Sequence, residues 1–363
     1  MSTETHQLSG RQSTDVHLLT GLGLLAVRII QGFIYWGGGS RRFIYAPDKL
    51  NPEAGHWMAY KFQTSMPGAL LGLEHVISFM LQHFWLLYVS VIIFSAAELI
   101  AGLFLMLGLF TRLSALMSMC FSVVLMLMFG WQGATCIDEW TMAACNLAMG
   151  ATLFLCGSHS YALDNLILKK RPRMTDNTLF RWCSGSLPLP VTPGHYKKMA
   201  LAVLVVVVGF DVGTYSYYRG SVITPYHSGP VSPTTHHIKL TEGKLFADGT
   251  VQVHAYLDAG TPEAPEYIME AWLKDNRGHV LAHWDASLLS ALPQGSFDND
   301  YAYHGFKVSH YGIQAVVGSA ATITFPADVI TRSQERLPDG AITLELMDVS
   351  GRTFNASLAR ISG

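Results

Sequence analysis

Up to about residue 215 the chain alternates between apolar runs of membrane length and short polar segments; beyond it, apolar and polar residues alternate one by one. The first pattern suits helices that cross a bilayer, since a span needs about 20 mostly apolar residues. The second suits half-buried strands. Residues 16–36 form the first predicted span. That run is too long for a signal-peptide core and no small-residue cleavage site follows it, so the helix is retained. Residues 85–110, 112–130 and 140–157 form three more spans, and 199–213, approached through Lys197 and Lys198, form a fifth. Residues 67–84 are apolar around Glu74 and His75 but short for a span, which predicts a half-membrane or interfacial helix. From about Ser221, Val251, Val253, Ala255 and Leu257 alternate with polar residues after Asp248-Gly249, and Ile342, Leu344 and Leu346 do so before the turn at Gly351. Short strands between Gly, Asn and Asp turns predict an all-β, immunoglobulin-like sandwich. The expected domains are a four-helix membrane bundle over 1–170, a basic linker over 171–196, a fifth transmembrane helix over 197–218 and the sandwich over 219–363.

Composition agrees with a membrane protein: half of the 363 residues are hydrophobic and only 14% are charged. Net charge is −2, with no basic run suited to nucleic acid, so that partner is set aside. The basic segment 169–198 places its side in the cytoplasm. Counting spans both ways then puts Arg112 inside and puts 37–84, the 131–139 loop and the β-domain outside, in the periplasm of a prokaryotic inner membrane. The outer segment 37–66 carries Arg41, Arg42, Lys49 and Lys61 against the positive-inside tendency, and binding an anion is one reason for that.

Five cysteines make no disulfide framework, and no CxxCH, CxxC or GxGxxG signature is present, so no haem, flavin, iron–sulfur or metal site is expected. His236, His237, His254 and His304 lack metal-site spacing. Redox chemistry would need a diffusible acceptor, a thiol, or both. The loop Cys136-Ile137-Asp138-Glu139-Trp140 puts a thiol, two carboxylates and an indole between two spans. Cys136 is the cysteine expected on the outer face; it is either a reactive thiol, an inert loop cysteine, or a disulfide partner of Cys145. Asp138 and Glu139 also suit the N-terminus of a helix, whose dipole favours carboxylates. Gly37, Gly38 and Gly39 before Arg41 and Arg42 suggest backbone N–H groups and guanidinium forks around an oxyanion; lipid phosphate is the alternative partner. Arg28 and Glu98 are charges within spans one and two. They are expected to pair, either structurally or with Glu98 as a proton donor to a quinone.

The runs Trp36-Gly37-Gly38-Gly39-Ser40-Arg41-Arg42, Pro67-Gly68-Ala69-Leu70, Gly133-Ala134-Thr135-Cys136-Ile137-Asp138-Glu139-Trp140 and Tyr161-Ala162-Leu163-Asp164 resemble the DoxD subunit of thiosulfate:quinone oxidoreductase. Phe297-Asp298-Asn299-Asp300-Tyr301 and Tyr311-Gly312-Ile313 resemble the DoxA subunit. The chain therefore resembles a DoxD–DoxA fusion. The resemblance implies oxidation of thiosulfate to tetrathionate with electrons passed to membrane quinone. On that reading Cys136, Glu98, His75, Asp138 and Glu139 are the candidate catalytic residues. Arg41, Arg42, Lys61 and Trp140 are candidate thiosulfate-binding residues, and Arg28, Glu98 and His75 candidate quinone-binding residues. The expected partners are thiosulfate, quinone, the lipid bilayer and further copies of the chain. A non-catalytic membrane scaffold and an anion transporter are the competing classes.

Overall fold

The computed structural model describes residues 19–133, 138–327 and 340–361. The predicted order of elements is present: a helical N-terminal region, then an all-β domain. Helix α1 (Leu25–Ser40) continues through the glycines and tightens into a π-helical turn, Arg41–Tyr45. The first predicted span ends at Trp36, whereas the helix runs on through Gly37–Gly39. The physical reason is packing. A Cβ on Gly102 would lie 2.2 Å from the Trp36 backbone nitrogen, and one on Gly32 would lie 2.8 Å from the Gly102 carbonyl oxygen. Small residues on α1 and α4 (Phe84–Leu107) let the two backbones touch, as in many membrane helix pairs.

Segment 37–66, read as a polar loop, also holds helix α2 (Met58–Ser65). The short predicted helix is α3 (Leu73–Gln82), which leads through His83 into α4. Helix α5 (Thr111–Phe129) and α6 (Asp138–Cys156) cover the residues of the third and fourth expected spans. Helix α7 (Leu163–Lys170) precedes the expected linker, and the linker itself holds α8 (Thr178–Cys183) and the first residues of α9 (Pro193–Tyr218). Pro193 at the first turn and the Thr192 hydroxyl, which accepts from the His195 N–H, start α9 by satisfying its free end. Three described helices are long and apolar enough to cross a membrane: α4, α5 and α9.

Among the described residues the β-domain has ten strands: β1 (His237–Phe246), β2 (Val251–Ala259), β3 (Glu266–Lys274), β4 (Val280–Trp284), β5 (Phe297–Asn299), β6 (Lys307–Ser309), β7 (Gly312–Ala315), β8 (Ala320–Phe325), β9 (Ile342–Asp348) and β10 (Thr353–Ile361). They pair in the order β5-β8-β2-β1-β10-β9-β3-β7-β6, with β4 on β3. Most pairs are antiparallel; β1 and β10 run parallel, Lys244 opposite Ala359. Period-two burial is as the sequence predicts. Val251, Val253, Ala255 and Leu257 are wholly buried, as are Leu344 and Leu346, while the residues between them are partly exposed. The short helix α10 (Ala286–Ser290) is capped by the Asp285 carboxylate, which accepts from the Ser287 and Leu288 N–H groups.

Two compact units result. One comprises the described parts of Met1–Trp57, Tyr88–Gly130 and Asp138–His227; the other those of Met58–Leu87, Trp131–Ile137 and Ser228–Gly363. The β-domain's unit thus includes α2, α3 and the start of α4.

Candidate functional site

In the helical unit, α1 and the π-helical turn that continues it present one stripe, Arg28, Gln31, Tyr35, Gly38 and Arg42, at helical spacing. Arg42 and Glu98 form an ion pair, with side chains 17% and 12% exposed, and the Ser95 hydroxyl lies 3.4 Å from the Arg42 guanidinium. Gly38 makes room for the carboxylate, since a Cβ there would sit 2.2 Å from Glu98 Oε1. The expected Arg28–Glu98 pair is therefore corrected. Arg28 donates instead to the Ser160 carbonyl at 3.0 Å and the Tyr161 carbonyl at 2.8 Å, beside the α4–α5 turn at Gly108. The reason is antiparallel geometry: α1 and α4 run in opposite directions, so the residue that meets Glu98 is one turn beyond the glycines, not Arg28.

Between these two ends lies a polar group that the sequence reading missed. Gln31 Nε2 donates to Ser118 Oγ at 3.0 Å and to the Asn146 carbonyl at 2.8 Å. The Tyr35 hydroxyl donates to the Ser118 carbonyl and sits 2.9 Å from Ser122 Oγ. All five residues are at least 97% buried. Their signal was present in the three- and four-residue spacing from Arg28 to Arg42, hidden because Gln and Tyr are unremarkable singly.

Arg112 is a staple: its guanidinium donates to the carbonyls of Phe154, Arg181 and Leu187 at 3.1, 3.2 and 2.7 Å, and to that of Ser184. Asp164, fully buried, accepts from the N–H groups of Phe110 and Gly185. These bonds hold the former linker against the bundle. Trp140 is similarly engaged, its indole N–H donating to Thr214 Oγ1 at 2.9 Å and its ring meeting Tyr215 edge-on.

Of the other expected site residues, Arg41 is exposed on the same π-helical turn as Arg42, and Lys61 is exposed on α2 in the other unit. Cys136 and the side chain of Asp138 lie outside the described residues; Glu139 follows in the first turn of α6, partly buried. Cys145 is a free thiol two turns into α6.

In the β-domain's unit, Trp131 Nε1 donates to the Ser65 carbonyl and Gln132 Nε2 to the Thr64 carbonyl, each at 2.9 Å. The chain leading toward Cys136 is thereby tied to the end of α2. Gln63 closes all its hydrogen bonds with the sheet loops: it donates to the carbonyls of His304 and Gly318 and accepts from the His304 N–H. Gly318 passes so close that a Cβ would lie 2.1 Å from the Gln63 carbonyl oxygen.

A cavity of about 260 Å³ opens between α3 and the sheet, lined among others by Glu74, His75, Lys239, His254, Asp300 and Tyr301. His254 Nε2 lies 3.0 Å from Asp300 Oδ2, and that hydrogen bond holds its pKa above the ordinary imidazole value, outweighing burial. The Ser78 and Tyr301 hydroxyls meet at 2.8 Å. Burial raises the Tyr301 pKa. His75, an expected proton donor, lines this cavity with its ring mostly exposed and 3.5 Å from Glu74. His254 was visible only as a polar residue on the outer face of β2. Across the domain, burial drives the His304 imidazole down to about 4. Among the described residues no group of three His, Cys, Asp or Glu is placed to hold a metal ion.

Residues 24–190 match the model of the small subunit DoxD of TQO, and residues 218–357 match that of its small subunit DoxA. The first match ends just before α9 and the second begins at its last residue, so α9 separates the two matched regions. The chain is a member of the DoxD and DoxA families, carrying both domains in a single polypeptide.

Proposed function

We propose that this protein oxidises thiosulfate to tetrathionate at a membrane and passes the electrons to quinone. The pair of family matches, covering both the helical and the β region, is the observation that carries this reading. In the membrane, α1, α4, α5, α6 and α9 act as five spans and α3 as a half-helix. The basic stretch 169–198 faces the cytoplasm. The β-domain, an immunoglobulin-like sandwich, faces the periplasm.

Two thiosulfate ions lose two electrons and join through their outer sulfurs; quinone takes up those electrons with two protons. Arg41 and Arg42 attract the dianion from the polar end of α1, where guanidinium groups bind oxyanions through paired hydrogen bonds. Cys136 serves as a covalent relay. Its thiolate and one thiosulfate form a Cys–S–S–SO₃⁻ adduct, releasing two electrons to quinone. A second thiosulfate attacks the sulfane sulfur, tetrathionate forms, and the Cys136 thiolate leaves.

The residues around Glu98 fit a quinone head group: a carboxylate and a guanidinium, largely buried between apolar helices, supply one proton carrier and one hydrogen-bond donor for a carbonyl. Glu98 holds a proton at its carboxylate and delivers it as negative charge builds on the acceptor, and Arg42 fixes the carboxylate's orientation.

The test is purified full-length protein supplied with thiosulfate and a short-chain quinone, with quinol and tetrathionate followed together. Equal amounts of the two products support the reading. Neither product from well-folded protein overturns it in favour of a membrane scaffold.

A further inference from the structure

The polar stripe of α1 runs on from Glu98 toward the opposite end of the helix, and nothing in thiosulfate oxidation requires it there. Arg28 and Arg42 are fourteen residues apart, about 21 Å at 1.5 Å per residue. The hydrocarbon core is about 30 Å thick. Polar side chains therefore line most of one crossing, all facing the bundle interior, where such residues mark ion or proton pathways.

A network that served helix packing alone would close its own hydrogen bonds. This one leaves several open. Both hydrogens of Gln31 Nε2 are committed, one to Ser118 Oγ and one to the Asn146 carbonyl. Ser118 Oγ gives its own hydrogen to the Ala115 carbonyl, so it must accept from Gln31. The amide orientation of Gln31 is thereby determined, and its Oε1 is a buried acceptor that receives no hydrogen bond from the described residues. Asn146 Oδ1 is a second such acceptor, and Arg28 Nε, one helical turn below, is a buried donor without a partner among the described residues. Water fills positions of this kind because it can donate and accept at once. Above Gln31 the Tyr35 and Ser122 hydroxyls, 2.9 Å apart, continue the line to Gly38, on whose backbone the Glu98 carboxylate rests.

We infer that this stripe is a water-assisted proton path that supplies Glu98 from the Arg28 side of the membrane, opposite the side that receives thiosulfate. The inference rests on the proposed oxidoreductase activity. Written with its sides, two thiosulfates give up two electrons at the Arg42 end and two protons arrive from the Arg28 end; both pairs end on quinol. Turnover then moves charge across the membrane rather than merely filling the quinol pool. Arg28 itself is held in place by the Ser160 and Tyr161 carbonyls, which fix its guanidinium at that end of the stripe.

The test uses the full chain in sealed proteoliposomes containing quinone, a trapped pH dye, and valinomycin with potassium to prevent a back-potential. Thiosulfate does not cross the bilayer, so adding it outside activates only molecules whose thiosulfate face points outward. The expected result is internal alkalinisation of two protons per quinol. Alkalinisation of the external medium, with quinol and tetrathionate still formed, overturns the path and leaves the oxidoreductase intact. Absence of both products removes the oxidoreductase and the path with it. Gln31→Leu and Tyr35→Phe should each lower quinol formation about 100-fold, the scale of a lost proton-transfer group, without raising the KM for thiosulfate. Thr152→Val, on the exposed face of α6, should leave the rate unchanged. Wild-type rates and proton uptake in both stripe variants would overturn the assignment.

Discussion

Glu98 and Arg42 come from different helices, and each makes the other tolerable in an apolar bundle. Glu98→Gln keeps the shape and an oxygen that can accept from Arg42 and removes the titrating group, but leaves the Arg42 charge uncompensated. Glu98→Gln should be less stable than the wild type, and its folded fraction should reduce quinone about 100-fold more slowly; a stopped-flow assay of quinol formation on the folded fraction checks this, and an undiminished rate would exclude Glu98 as the proton carrier. Histidines of the β-domain set a pH dependence of stability. His254 has a raised pKa, and so has His236, where burial pulls the imidazole down but Glu266 and the Thr261 carbonyl outweigh it. The folded state holds those protons more tightly than the unfolded one, so their contribution is complete below about pH 6.5 and is lost as pH rises through the folded values. His304 is the reverse. With its folded pKa near 4, the unfolded chain binds a proton that the folded one refuses, and stability falls as pH drops from about 6.5 toward 4. The thermal midpoint of the β-domain should thus peak near pH 6.5, and His304→Gln should flatten the acid limb of a melting-point series.

Helix pairing in the bundle depends on contact without side chains. Gly102 meets backbone, at the Trp36 nitrogen, so an added side chain cannot be absorbed by a rotamer change. Gly102→Val should separate α1 from α4 and abolish accumulation of folded protein, measured by detergent size-exclusion chromatography. Gly38 meets the flexible end of Glu98 instead. Gly38→Ala should leave the fold intact but push the carboxylate off Arg42, and displacement of about 1 Å at a reacting group can cost 100-fold in rate. A folded Gly38→Ala protein with full activity would place quinone chemistry elsewhere. The same pair of variants distinguishes packing from chemistry on a single helix face.

The molecule divides into units that do not follow the order of the chain. Segment Met58–Leu87 belongs with the β-domain, although about 140 residues of mostly helical chain separate them. Gln63 is the residue that holds this arrangement most completely, because its side chain satisfies two carbonyls and one N–H of the sheet loops at distances of 2.7, 2.9 and 2.8 Å. Gln63→Ala leaves those buried groups unpaired and should destabilise the β-domain's unit by about 2–4 kcal/mol. Denaturant unfolding followed by tryptophan fluorescence measures it; a change below about 0.5 kcal/mol, the range of an ordinary surface substitution, would show that α2 is not bound in this way.

Periodicity alone determined the class of each region. Membrane-length apolar runs specify helices, because lipid offers backbone groups no other partner, and strict alternation specifies half-buried strands. The cores of β2 and β9 and the bounds of α4 and α5 were legible for that reason. Family membership was legible too, since it rests on local runs of residues. What the sequence could not supply was pairing at a distance. Arg28 and Glu98 looked like partners because both are charges in spans; the antiparallel crossing of α1 and α4 assigned Glu98 to Arg42 and Arg28 to backbone carbonyls. The glycines before Arg41 looked like a loop, and only the close approach of α4 explains them as helix. The Gln31–Tyr35–Ser118–Ser122–Asn146 group draws on three helices, and the His254–Asp300 pair on two distant parts of the β-domain. Sites of that kind exist only once the chain has folded, because hydrogen bonds between remote residues depend on the tertiary packing that brings them within reach.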